Sequence, residues 1–424
     1  MVELLKKEFL EIGETLYSAK LKNGLQVFLI PKKGFKECCG TLMIKFGSID
    51  TKFTKEKVYP EGIAHFLEHK LFEMEDGLDV STLFTNLGAD TNAFTSFDKT
   101  CFYFSTTENV KENVDLLQNF TLTTTFTDSS VEREREIIGQ EIDMYQDDVN
   151  YRLYQGILGN LYPGTSLASD IAGTKESIQT ISVKDLKENH EAFYKPQHMV
   201  FLLTGDFDPE VTFSEIKQKQ EKLDYKSNLQ IAEALIPYHQ VLKTSSTTME
   251  VTMPKLAIGY RGPKLSNNQS LLRQKIALRV YFAMILGWTS QTYQKLYESG
   301  EIDDSFDFDL EVHPEFQFII ISLDTKVPIA MSNKIRQYLR NAKDSEDLSE
   351  KHLQTVKKEL YGEFLRNMDS LDSLSNQFVN YFTEDETYFD FPNLLFNLTF
   401  EDILKVGTKF LKYADVTDFT IFPK

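Results

Sequence analysis

The sequence predicts an α+β protein of two similar halves, each a mixed sheet with helices packed on one face, and three observations carry that expectation. Short β-branched runs bounded by turn residues alternate with longer segments of helical period. The same order of elements begins again past the middle of the chain. The 424 residues also exceed what one hydrophobic core normally serves, so two or more domains are expected.

Taken in order, Leu25–Ile30 and Gly40–Phe46 read as adjacent strands separated by the turn-rich Pro31-Lys32-Lys33-Gly34. A helix over Glu61–Lys70 follows, then a strand through Thr91–Thr95 and Thr100–Ser105, then two or three helices. A polar stretch from Lys219 to Gln230 and a Ser/Thr-rich loop at Lys243–Thr248, where periodicity vanishes, mark the middle. The second half repeats the logic with a strand at Leu256–Tyr260, helices at Leu271–Gly287 and Ser290–Glu298, strands at Ser305–Val312 and Phe316–Leu323, and helices beyond. The expected division is 1–225, a linker over 226–245, and 246–424.

Composition narrows the class. Charged residues at 26% and hydrophobic ones at 41% are ordinary globular values. A formal charge of −18 opposes nucleic acid and anionic membrane as partners, because neutralising phosphates takes clustered Lys and Arg. No stretch approaches the roughly eighteen uninterrupted apolar residues of a membrane span, and Met1-Val2-Glu3-Leu4-Leu5-Lys6-Lys7 runs on into acidic sequence rather than a secretory core. Cys38, Cys39 and Cys101 offer neither a disulfide framework nor a metal spacing. A cytoplasmic protein with reduced thiols is expected.

The most specific signal lies in Glu61-Gly62-Ile63-Ala64-His65-Phe66-Leu67-Glu68-His69-Lys70. On a helix, His65 and His69 stand one turn apart and converge on one metal ion, while Glu68 projects beside them as a candidate general base. H-x-x-E-H is the inverted form of the commoner metalloprotease order. With seven histidines in the chain, such a pattern arises by chance about 0.01 times, so the pentad is read as a site rather than an accident. A catalytic zinc needs a third protein ligand. Val131–Tyr145 is rich in helix formers, and Glu134, Ile138, Glu141 and Tyr145 share one face of it. Glu141 would complete the ligand set and Glu134 would orient a ligating histidine. The alternative is an exposed charged helix, since Glu and Arg alternate over residues 132 to 136. His190, His198, His239, His313 and His352 show no ligand spacing.

The chain resembles the pitrilysin-type zinc metalloendopeptidases, the family of insulinase and the mitochondrial processing peptidase, and their short bacterial members in particular. Gly62-Ile63-Ala64-His65-Phe66-Leu67-Glu68-His69 matches the family's G-x-A-H-x-x-E-H, Gly88-Ala89-Asp90-Thr91-Asn92-Ala93-Phe94-Thr95 its G-A-x-x-N-A-x-T strand, and Glu134-Arg135-Glu136-Ile137-Ile138-Gly139-Gln140-Glu141 its E-R-x-x-I-x-x-E. Ile171–Ile178, Phe193–Pro196 and Val200–Asp206 resemble the closing elements of the family's first domain, so the likeness covers most of residues 15 to 210 and more weakly the rest. It implies two homologous domains with mainly antiparallel sheets, forming half of a clamshell dimer. It further implies one Zn2+ per chain on His65, His69 and Glu141, catalytic roles for Glu68 and Glu134, and a strand, Asn92-Ala93-Phe94-Thr95, to which an extended peptide adds. An ordinary core-packed strand is the other reading of those four residues.

One departure bears on partners. Where family members that complete their own active site carry an arginine and, seven residues on, a tyrosine that grip substrate, Leu296–Ser305 places Tyr297 and Asp304. A carboxylate cannot donate to a substrate carbonyl. The resemblance therefore implies a heterodimer with a homologous subunit that carries the Arg/Tyr pair, acting on short unstructured peptides. A self-sufficient homodimer, a non-proteolytic scaffold subunit and a metal-dependent hydrolase of another bond, such as an amidase, are the alternatives.

Overall fold

A computed structural model describes residues 2–54, 57–74, 77–122, 124–223, 231–232, 234–265 and 270–424. Residues 226–230 and 233 of the expected linker lie outside the described residues. The chain divides into two compact units, Met1–Ile142 with Asp170–Ala234 and Asn367–Asn380, and Asp143–Ser169 with Leu235–Arg366 and Tyr381–Lys424. Each outlying helix is placed by the sheet it covers. The helix Leu371–Tyr381 packs Phe378 on Phe28 with ring centroids 5.2 Å apart and sets Ser375 Oγ 3.3 Å from Thr204 Oγ1. The helix Val149–Leu161 gives the Leu161 carbonyl to Arg261 at 2.8 Å, and Asn160 Nδ2 donates to the Asp418 carbonyl.

The first unit holds a seven-stranded sheet of β1 (Leu5–Phe9), β2 (Glu14–Lys20), β3 (Gln26–Pro31), β4 (Cys38–Ile44), β5 (Ala89–Thr95), β6 (Thr100–Thr106) and β7 (Met199–Gly205), in the order β1-β2-β3-β7-β4-β6-β5. The second holds a five-stranded sheet of β8 (Thr244–Met249), β9 (Lys255–Arg261), β10 (Asp307–Val312), β11 (Gln317–Asp324) and β12 (Asp415–Pro423), in the order β10-β11-β9-β12-β8. Each sheet is antiparallel except for one parallel pair, β3 with β7 and β12 with β8. In the first sheet Val27, Leu29, Leu42, Ile44, Phe102, Phe104, Phe201 and Leu203 join one apolar cluster with helix residues such as Phe66, Leu67, Leu117 and Ile138. Alternation along each strand puts these side chains on one face, while β4 and β7 are buried at every position.

The structure departs from the sequence reading in several places. β3 and β4, expected to be adjacent, are separated by β7, which pairs parallel with β3 and antiparallel with β4, because register between distant strands leaves no local signal. The chain also returns as the strand β12 where only helices are expected. Residues 244–249 form a strand, β8, where a loop is expected; it lies at the sheet edge with alternating exposure and is built from Thr and Ser, so β-branching supports it although no apolar pattern announces it. The hairpin β1–β2 is also absent from the expectation, because β1 is almost wholly exposed and carries no core alternation.

The edge strand β5 is held at its far end. Ser48 N–H bonds the Ser96 carbonyl and Ile49 N–H the Phe97 carbonyl, both at 3.0 Å, so the loop after β4 grips the β5–β6 turn. Asp50 Oδ2 accepts the Gly47 N–H at 2.8 Å within that loop. Burial pushes the Asp50 carboxyl up to about 7, and the nearby charge of Asp98 adds to it against the Gly47 hydrogen bond. A raised carboxyl favours the folded state fully only below its unfolded value, and that preference is lost as pH rises through about 7. Asp50→Asn is therefore expected to be more stable than wild type at pH 8, by on the order of 1–3 kcal/mol, and equal to it below about pH 4. Urea unfolding at the two pH values checks this; equal stability at pH 8 would sink it.

Candidate metal centre

The helix Ile63–Phe72 carries the pentad, and its entry explains part of the sequence around it. Gly62 caps it at φ 87°, a left-handed conformation, and a Cβ there would lie 2.4 Å from the Ala172 carbonyl oxygen. The Glu61 carbonyl meanwhile accepts Ser177 Oγ at 2.8 Å. Two motifs more than a hundred residues apart thus meet at one helix start. Ile63, Ala64, Phe66, Leu67 and Leu71 are buried, and so are His65 and Glu68 at 8% and 7% exposure. Burying an imidazole and a carboxylate is costly without partners, so what faces them decides the reading.

The helix Asp128–Asp147 supplies those partners. Val131, Glu134, Ile138 and Ile142 are its buried face, and Arg135 anchors it by bonding the Ile178 carbonyl at 3.2 Å and the Ile181 carbonyl at 2.7 Å. Glu134 Oε1 stands 3.0 Å from His69 Nδ1. The other ring nitrogen of His69, Nε2, is 3.3 Å from Glu141 Oε2, and His65 Nε2 is 3.7 Å from Glu141 Oε1. His65, His69 and Glu141 each present a donor atom within 4.8 Å of the others. Among the described residues no other group of His, Cys, Asp and Glu does so.

Protein charges alone leave this centre in need of a cation. Burial pushes His65 down to about 4, with the neighbouring His69 adding to the effect, and its Nδ1 is buried without a hydrogen-bond partner. Burial also pushes Glu68 up to about 7 against the hydrogen bond from Thr95. For His69 burial pulls downward, but the bonds to Glu134 and Glu141 outweigh it and carry the imidazole up to about 10. A proton on His69 would thus stand as a positive charge between Glu134 and Glu141. Two imidazole nitrogens and a carboxylate oxygen fit a divalent zinc with a coordination position left open, and Glu134 fixes the His69 tautomer so that Nε2 is the free donor.

The four strand residues meet the centre at one end only. Among the described residues β5 pairs with β6 alone and lies at the edge of its sheet. Thr95 Oγ1 donates to Glu68 Oε2. Ala93 packs against the core, Asn92 is exposed on the other face with its side-chain oxygen accepting Ala93 N–H at 2.8 Å, and Phe94 is half-buried with its ring centroid 6.4 Å from that of Tyr103. Sequence reasoning missed Arg135 as an anchor and Thr100, which faces Thr95 across the ladder. Only strand register and the contact with residues 178–181 reveal them. In the second unit, Tyr297 Oη donates to Asp304 Oδ1 at 3.3 Å, both exposed, with Tyr297 stacked on Tyr293. The remaining described histidine contacts are structural: His190 Nε2 lies 2.7 Å from the Thr121 carbonyl, and His352 bridges the Asp347 carbonyl and Thr289.

Known proteins match along this whole arrangement. The profile of the Insulinase (Peptidase family M16) family matches residues 27–175, and that of the Peptidase M16 inactive domain residues 180–360. The chain is 36% identical to the uncharacterized zinc protease YmfH of Bacillus subtilis over 98% of its own length and 99% of that protein. The crystal structure of an M16-like peptidase from Alicyclobacillus acidocaldarius superposes with a TM-score of 0.89 at 27% identity, covering 100% of this chain and 99% of that one. The periplasmic protease PqqL of Escherichia coli shares the fold at a TM-score of 0.72 and 20% identity, with 96% of this chain covering 47% of PqqL.

Proposed function

The chain belongs to the insulinase (M16) peptidase family, and on that premise we propose that it is a zinc-dependent endopeptidase of short, unstructured peptides, the catalytic subunit of a heterodimer. The observation that carries the reading is the convergence of His65, His69 and Glu141 within 4.8 Å beside a buried Glu68.

His65, His69 and Glu141 would hold one zinc ion, which when bound supplies Lewis acidity to a water and to a peptide carbonyl. Glu68 takes the water proton and returns it to the leaving nitrogen. Glu134 holds His69 by Nδ1 and so keeps Nε2 directed at Glu141. The free edge of β5 receives an extended peptide by backbone hydrogen bonds, with Asn92, Ala93, Phe94 and Thr95 nearest the centre, which gives affinity with modest sequence demands. An edge of that kind favours peptides over the small substrates of an amidase, and an intact donor set argues against a scaffold that has shed its ligands.

A partner is supported by three features. Residues 180–360 match an inactive-domain profile, the chain spans about half of PqqL, and Tyr297 and Asp304 stand where a substrate-gripping Arg/Tyr pair is expected. We place the closed form as a clamshell of this chain and a homologous subunit that carries the pair, with residues 1–225 as the zinc-binding half and 246–424 as its non-catalytic counterpart. No helix among the described residues is long and apolar enough to cross a membrane. The three free, buried cysteines suit a reducing compartment such as the cytoplasm.

The test is hydrolysis of a quenched, unstructured peptide of roughly twenty residues by tagged protein isolated from its own host, with whatever subunit accompanies it. Cleavage should cease with a zinc chelator and return with one equivalent of zinc per chain. Cleavage that persists after complete zinc removal would overturn the reading.

A further inference from the structure

Glu68 is gripped by the strand that forms the open edge of the sheet. Thr95, the last residue of β5, donates its hydroxyl proton to Glu68 Oε2. Directly opposite in the β5–β6 ladder stands Thr100, with the two hydroxyl oxygens 3.3 Å apart. Thr100 is fully buried, and its Oγ1 donates to the Phe46 carbonyl at 2.9 Å.

A threonine hydroxyl has one proton to give and two lone pairs. The Thr100 proton is committed to a carbonyl, which cannot donate in return, so Thr100 can offer Thr95 only lone pairs. The Thr95 proton is committed to the carboxylate for the same reason. Neither hydroxyl can rotate away without leaving a buried or half-buried acceptor unpaired, a loss that buried groups resist. Among the described residues, Glu68 Oε1 takes no hydrogen bond. The two oxygens of the carboxylate are therefore unequal.

We propose that Thr95 is a positioning residue that fixes Glu68 by Oε2 so that Oε1 is the oxygen that takes and returns the proton, tying the base to the strand that receives the peptide. The proposal rests on the reading of Glu68 as general base in a peptidase. The balance holds in both protonation states: water gives its proton to Oε1, the acid carries it as Oε1–H while Oε2 still accepts from Thr95, and Oε1 passes it to the leaving nitrogen. Thr95 gains and loses nothing, and its own side chain points at the base rather than at substrate. The peptide is left to the strand's backbone.

The experiment compares Thr95→Val, which keeps the β-branched shape and removes the hydroxyl, with Thr95→Ser, which keeps the hydroxyl. Both are isolated from the host like the wild type. Thr95→Val should lower kcat by roughly 10- to 100-fold, with KM and zinc content within twofold of wild type, and Thr95→Ser should recover to within about threefold. A second readout needs no turnover: in zinc-stripped protein, the Tm losses of Thr95→Val and Glu68→Ala should sum to more than the loss of the double variant, because the contact can be removed only once. Wild-type kcat in Thr95→Val, a serine variant no better than the valine one, or Tm losses that simply add would each overturn the proposal. Should wild-type protein cleave nothing, the peptidase reading falls by itself, and the Tm cycle still decides whether Thr95 holds Glu68.

Discussion

Glu68→Gln should leave the protein folded, zinc-loaded and inert, with kcat for peptide cleavage lower by roughly 10²- to 10⁴-fold. Glutamine keeps the length of the side chain and an amide oxygen that accepts from Thr95, so the place of the residue in the helix Ile63–Phe72 is preserved. What it removes is the site that receives a proton. The proposed ligand atoms lie on His65, His69 and Glu141, so zinc content should match that of the wild type. Stability should not fall either. The carboxylate is 7% exposed and its charged form is disfavoured by that burial, so a neutral amide in its place relieves a cost rather than adding one. Unfolding curves, zinc analysis and a quenched-peptide assay on the same preparation separate the three effects. Hydrolysis at the wild-type rate would remove Glu68 from the chemistry altogether.

The centre was legible in the sequence to the extent that local periodicity places side chains. Two histidines four apart must share a helix face, and Glu134, Ile138 and Glu141 must share another, whatever the rest of the fold does. Sequence alone could not say that the two helices bring those faces together; the structure does, with Glu134 on His69 Nδ1 and Glu141 near both Nε2 atoms. Features set by strand register or by contacts between distant segments stayed invisible. Thr100 acquires its meaning only because the β5–β6 register puts it opposite Thr95, and Arg135 only because residues 178–181 end in carbonyls within its reach. The strands followed the same logic. Buried ones such as β4 and β11 announce themselves by apolar runs, whereas β8, an edge strand of Ser and Thr, carries the polarity of a loop and is held by its parallel partner β12. The exchange of residues 143–169 and 367–380 between the units belongs to this second class, since which sheet a helix covers is a long-range property.

The chain purified alone, fully loaded with zinc, should hydrolyse the same peptide at least about 100-fold more slowly, in kcat/KM, than the assembly isolated from the host. The expectation rests on the proposal that Tyr297 and Asp304 stand in place of a gripping pair. A guanidinium donates to a substrate carbonyl as a charge-assisted bond, and losing one such contact costs roughly ten- to a hundredfold. At position 297 the chain has a tyrosine whose hydroxyl is already turned to Asp304, and at 304 a carboxylate that can only accept. A peptide carbonyl meeting that pair finds an acceptor where it needs a donor, so the deficit compounds over two contacts. Zinc binding should be untouched by this loss, because every proposed ligand atom lies on residues 65 to 141. The lone chain is therefore expected to show one equivalent of zinc and little turnover, a combination that a misfolded or metal-free preparation would not give. Adding the homologous subunit should restore activity without changing zinc content. Turnover by the lone chain equal to that of the assembly would instead mean that a second copy of this chain grips the substrate, and that Tyr297 and Asp304 are not the deficit they resemble.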